Sequence, residues 1–272
     1  MSATTVNAAP LRPGVRLSRT YDVVRKVVLF AASPVILLIL WQVLATAGVL
    51  DARFFPAPSA IFDSLRGGLG HGTLLHDTVL TTGRLAMGLL IGGVSGLVVG
   101  IAMGLSQFVQ TVLRPLVSMT YPIPKIAILP LFLIIFGLGE TAMWAIVSVG
   151  VFYPVALNAY AGIREIDPIH RETAAVYRVS LWRRISTVAL PGSLSLILTG
   201  FELGIGVGFL LVVAAEFMGS SAGLGHAIWQ SWQTFAVSSM YAALAVIAIY
   251  GLVIQLVMSW LHRTLVPWRT EH

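Results

Sequence analysis

The side chains able to do covalent or metal chemistry are sparse in this chain, and their spacing does not assemble a catalytic set. The six histidines, His71, His76, His170, His226, His262 and His272, include no HxxH or HExxH pair, the spacing that turns two imidazoles toward one metal ion. Cysteine is absent, which removes disulfides, thiolate nucleophiles and cysteine metal sites. No glycine-rich loop ending in Lys-Ser/Thr occurs, so nothing in the chain is built to cradle nucleotide phosphates. With no nucleophile–base pair either, the expectation is a non-enzymatic protein that binds no metal or cofactor of its own.

What remains is charge placed where charge is costly. Of the 272 residues 57% are hydrophobic and 10% charged, with mean hydropathy +0.89, whereas soluble domains carry charge on about a quarter of their residues. Lys125 lies in an apolar run interrupted by Pro115, Pro122, Pro124 and Pro130, and Glu202 lies among Gly200, Gly204, Gly206 and Gly208. Ionisable groups at membrane depth face cavities or partners, and proline-broken helices line such cavities. Lys125 and Glu202 are therefore candidate pathway residues, with an ion pair between them as one arrangement. A competing reading has Lys125 snorkel to the surface from only 11 residues past Arg114. Glu140 and Glu216 fall at the external ends of their spans, either as solvated boundary residues or as docking points for an external protein.

These side chains have to be carried by membrane-spanning helices, because in lipid only helices and closed barrels satisfy every backbone group. Six spans are expected, at about Val27–Ala47, Thr78–Leu105, Leu113–Phe136, Ala142–Ala161, Val188–Ala215 and Ser239–Leu261. Placing both termini inside gathers Arg12, Arg16, Arg19, Arg25, Lys26, Arg114, Arg164, Arg171, Arg178, Arg183, Arg184, Arg263 and Arg269 on the cytoplasmic side. That accounts for most of the basic excess, so the pI near 10.1 reads as orientation, not nucleic-acid binding. Residues 1–26 read as a cytoplasmic tail without a cleavable signal, 27–265 as the transmembrane domain, and 266–272 as a second tail. Ser59 is expected to cap a short external helix bearing Ile61, Phe62 and Leu65. Another short helix is expected within Ala215–Val237, where Gly219, Gly223 and Gly225 break the backbone and Trp229 and Trp232 suit an interface. The second span carries glycines every fourth position, which marks it as a closely packed interior helix.

Between spans four and five lies a polar, cationic island. Asp167-Pro168 is a helix-start signature, and the helix that follows carries Glu172, Thr173, Ala174 and Ala175, ringed by Arg164, Arg171, Arg178, Arg183 and Arg184. Ser180 is placed to cap a second turn leading through Leu190-Pro191 into the fifth span.

This island resembles the cytoplasmic loop of inner-membrane permease subunits of binding-protein-dependent ABC importers. Their loop reads Glu-Ala-Ala, three residues, Gly, nine residues, Ile-x-Leu-Pro, and here 19 positions separate Glu172 from Pro191. Thr173 replaces one alanine, and Arg178 stands where the glycine is expected, which leaves the turn rebuilt or strained by about 1–2 kcal/mol. The resemblance extends through Phe55–Ser59, Pro122–Phe132, Phe136–Glu140, Phe152–Pro154, Asn158–Gly162, Ala214–Glu216 and Gly223–Gly225, in the nitrate, sulfonate and taurine subgroup. It implies an all-α, six-span, multi-pass inner-membrane permease with N-in and C-in termini, transporting a small anionic solute. It further implies a homodimer on two cytoplasmic ABC ATPases that use ATP and Mg, and an external substrate-binding protein. In this picture Glu172, Thr173, Ala174, Ala175, Arg178 and Ser180 form the coupling segment. The alternative is an ion-coupled secondary carrier that uses Lys125 and Glu202.

Overall fold

The computed structural model describes residues 32–177 and 179–266, and every regular element among them is helical. In chain order these are α1 (Ala32–Thr46), α2 (Pro58–Gly70), α3 (Thr73–Leu105), α4 (Gln107–Thr120), a 3-10 turn (Lys125–Ile128) running into α5 (Leu129–Phe136), α6 (Glu140–Arg164), α7 (Pro168–Val176), α8 (Leu181–Gly219), α9 (Leu224–Gln233) and α10 (Val237–Leu265). Among the described residues α3, α6, α8 and α10 are long and apolar enough to cross a membrane, and the bent pair α4–α5 brings the number to five when it is counted as one crossing. The expected tail at 1–26, the expected tail at 266–272 after its first residue, and the beginning of the first expected span lie outside the described residues.

The third expected span departs from the expectation. Leu113–Phe136 is not a straight crossing: α4 starts earlier, ends at Thr120, and meets the helix resuming at Lys125 at 86°. Pro122 and Pro124 offer no N–H to a helical ladder, and each disfavours helical geometry in the residue before it.

The described chain falls into two compact units, one ending at Ile61 and the other starting at Phe62. In the first, the start of α2 is held by Gln42 of α1. Its Oε1 accepts from the Ser59 backbone N–H at 3.0 Å, and its Nε2 donates to Ser59 Oγ at 3.1 Å. Pro58 is the first helical residue, so the acceptor expected from Ser59 comes from Gln42 instead.

The second unit is built on α3, α6 and α8. Leu85, Val147, Val151, Val155, Ile205, Phe209 and Val212 form its buried core. Close approach of α3 to α6 depends on absent side chains: a Cβ at Gly96 would stand 2.6 Å from the Phe152 carbonyl oxygen, one at Gly100 2.5 Å from that of Ala156, and one at Gly92 would strike the Ser148 backbone. The four-residue repeat on α3 thus meets a four-residue repeat on α6, as expected of small residues in a membrane bundle. The helix α8 runs unbroken from Leu181, seven residues before the expected start. It contains one π-turn, Ile185–Ala189, just ahead of Pro191, where the missing N–H is accommodated by local widening. The expected short helix after Gly219 is α9, whose Trp229 packs on both Phe217 and Trp232 at 4.8 Å between ring centroids.

Candidate functional site

Three constellations occupy successive levels of the second unit. At the first, Arg84 of α3 joins the beginnings and ends of other helices. Its Nε and Nη2 donate to the Glu140 carboxylate at the start of α6, at 2.6–3.1 Å. Its Nη1 donates to Glu216 Oε1 near the end of α8 at 2.8 Å and to the Ala222 carbonyl at 2.7 Å. Thr81, one turn before Arg84, donates to Glu216 and accepts from the Leu224 N–H at 3.0 Å. The Gly225 N–H also donates to Glu216 at 3.0 Å, and Asp77 accepts from the Gly223 N–H at 2.8 Å. Gly223 adopts φ +116, and a Cβ there would strike the Glu216 carboxylate, so glycine is required on both counts. The set fixes the Ser220–Gly225 connection, and with it α9, against three helices.

This level changes the standing of two expected residues. Glu216 is 0% exposed, which removes its carboxylate from any external docking surface. Glu140, with 48% of its side chain exposed, still reaches solvent. Sequence reasoning passed over Arg84, Thr81 and Asp77. An arginine only six residues into an apolar span falls under the same rule that singled out Lys125 and Glu202.

The second level is the break between α4 and α5. Lys125 Nζ donates to the carbonyls of Thr120 at 3.1 Å, Tyr121 at 2.8 Å and Ile123 at 2.8 Å, and it sits 4.3 Å from the Tyr153 ring centroid. An ammonium has three donors, and here they meet carbonyls at and just beyond the C-terminal end of α4, where a cation is also favoured by the helix dipole. Glu202, on α8, is partly exposed and takes no hydrogen bond or ion pair from the described residues. The structure therefore does not form the Lys125–Glu202 pair.

The third level is the island. Asp167 caps α7 as its sequence suggests, Oδ1 accepting from the Ile169 N–H at 2.9 Å, and Thr173 Oγ1 donates back to the Ile169 carbonyl at 2.6 Å. Ser180 precedes the first turn of α8, where its carbonyl accepts from the Arg184 N–H at 2.9 Å, while its side chain makes no capping bond. Ile169, Val176, Tyr177, Leu181 and Trp182 are all exposed, and Thr173, Tyr177 and Pro191 border an open groove of about 660 Å³. Arg178 lies outside the described residues, as do the side chains of Glu172, Ala174 and Ala175. Among the described residues no group of three or more His, Asp or Glu is placed to hold a metal ion.

Residues 88–271 match the family model described as binding-protein-dependent transport system inner membrane component. The taurine transport system permease protein of Escherichia coli (strain K12) is 33% identical over 94% of this chain and 95% of its own length. A putative aliphatic sulfonates transport permease protein of Bacillus subtilis (strain 168) is 32% identical over 88% and 87%. A nitrate import permease protein of Synechocystis is 26% identical over 98% of both. Among solved structures, an inward-facing methionine ABC transporter shares the fold with TM-score 0.57 at 18% identity, covering 71% of this chain and 94% of that one.

Proposed function

This chain belongs to the binding-protein-dependent transport system inner membrane component family, and from that premise we propose how its three levels divide the work of moving a small solute. It is a multi-pass permease subunit of an ABC importer in the inner membrane, and it is not an enzyme; hydrolysis belongs to a separate ATPase subunit. The ion-coupled carrier reading, which took Lys125 and Glu202 as coupling charges, is set aside because the family and the relatives are ABC import permeases.

In our reading two copies of the chain enclose the path and sit on two cytoplasmic ATPases that consume ATP and Mg. An external binding protein delivers a small solute of the nitrate, sulfonate or taurine kind, as the names of the relatives suggest. The segment from Glu172 to Ser180 receives the ATPase stroke. The observation that supports this is the exposure of Ile169, Val176, Tyr177, Leu181 and Trp182 around a capped short helix in a basic loop. Large apolar side chains gathered on a polar surface mark a contact site, and a rigid helix can present different contacts to two states of a partner. Glu140, in the same reading, faces the binding protein, and Lys125 and Glu202 border the path.

The test is reconstitution with the ATPase and the binding protein. Glu172→Lys and Ala174→Asp are expected to abolish ATP-driven sulfonate uptake while leaving membrane insertion intact. Retained coupling of hydrolysis to uptake in both variants would refute the assignment of the coupling segment.

A further inference from the structure

Among the described residues, the charges of Arg84, Glu216 and Lys125 are compensated, whereas that of the partly exposed Glu202 is not. Arg84 and Glu216 bind each other, and Lys125 gives all three donors to carbonyls. No hydrogen bond or ion pair from the described residues reaches Glu202. Glu202 lies about 21 Å along α8 from Glu216 at 1.5 Å per residue, which is inside a hydrocarbon layer roughly 30 Å thick. One turn further on, Gly206 has open space where a Cβ would stand, and Leu203 and Val207 beside it are exposed. The other described elements of the second unit leave Leu203 and Gly206 on this face of α8 uncovered. An isolated carboxylate is not left against lipid; it faces a watered cavity or another protein surface.

Building on the importer reading above, we propose that Glu202 lines the solute path and that the transported solute carries a cationic group, such as an ammonium, which this carboxylate receives. A purely anionic solute passing an uncompensated carboxylate is repelled. Lys125 cannot offset that repulsion by hydrogen bonding to the solute unless it gives up a carbonyl that caps the helix break. The solute class narrows to one in which an ammonium accompanies the anionic group, and Glu202 becomes a specificity-determining residue.

The absence of cysteine makes a direct test available, because Gly206→Cys supplies the permease with a single thiol one helical turn from Glu202. In the assembled permease–ATPase complex in lipid, modification by the cationic reagent 2-(trimethylammonio)ethyl methanethiosulfonate is compared with modification by the anionic 2-sulfonatoethyl methanethiosulfonate, each normalised to a free thiol. The expected preference for the cation is on the order of tenfold, the scale of one nearby unit charge in a partly watered cavity. It collapses toward unity with Glu202→Gln and reverses with Glu202→Lys. A preference that Glu202→Gln leaves unchanged overturns the proposal. So does a thiol closed to both reagents with and without ATP, the result expected if this face packs against a second copy. Leu203→Cys serves as the reporter where Gly206→Cys prevents assembly. Uptake by the cysteine-free parent is scored separately, so the importer reading and the role of Glu202 can fail independently.

Discussion

Arg84 binds two carboxylates in very different surroundings. Glu216 is wholly enclosed and Glu140 is half open to solvent. Removing the guanidinium strands a buried charge, whereas neutralising Glu140 leaves Arg84 still held by Glu216 and the Ala222 carbonyl. Arg84→Leu is therefore expected to destabilise the protein by about 3–5 kcal/mol. Glu140→Gln should cost no more than about 1 kcal/mol. Thermal unfolding of the detergent-solubilised protein checks the order, and equal losses would show that the exposed pair matters as much as the buried one. Sequence topology already placed Glu140 and Glu216 on one side of the membrane. It carried no distances, and although Gly223 and Gly225 were legible as breaks, a backbone N–H or C=O gives no sign in the sequence of which side chain it will meet. The Asp167 cap, by contrast, was readable because both its acceptor and its target lie within three residues.

The periodic elements were the most legible, because the glycine repeat of α3 encodes a distance between two backbones. Gly92→Val is expected to prevent assembly of the folded complex, since its side chain would have to occupy the Ser148 backbone. Gly83→Ala, at a site with nothing within 4 Å, should leave assembly unchanged and favour the helix by up to about 1 kcal/mol. Yield of monodisperse complex on size exclusion distinguishes them, and a normal yield for Gly92→Val would show that α3 and α6 can separate. The break at Pro122–Pro124 was readable as interruption but not as an 86° corner. Proline removes a helical bond without saying where the chain then turns, and the corner here depends on Lys125 reaching back to three carbonyls. The turn after Ser180 was anticipated, but not that it is continuous with α8, because Leu181–Arg184 is too polar to register as part of an apolar span.

For the molecule as a whole, orientation rests on basic residues and is open to a direct check. Trp182→Cys should be modified by an impermeant reagent only from the cytoplasmic side, and Phe55→Cys only from outside, in intact and inverted vesicles; the opposite pattern would reverse the topology. That experiment also bears on how α8 is used. It is 39 residues long, about 58 Å at 1.5 Å per residue, with its first turn in the exposed island and its last beside the Arg84 ion set. Such a rod is a lever: a tilt of about 5° sweeps one end through about 5 Å relative to the other. Its single soft joint, the π-turn at Ile185–Ala189, lies at the island end. On the coupling reading proposed above, slack is confined to the driven end, and the travel at the far end is set by arm length more than by the size of the push.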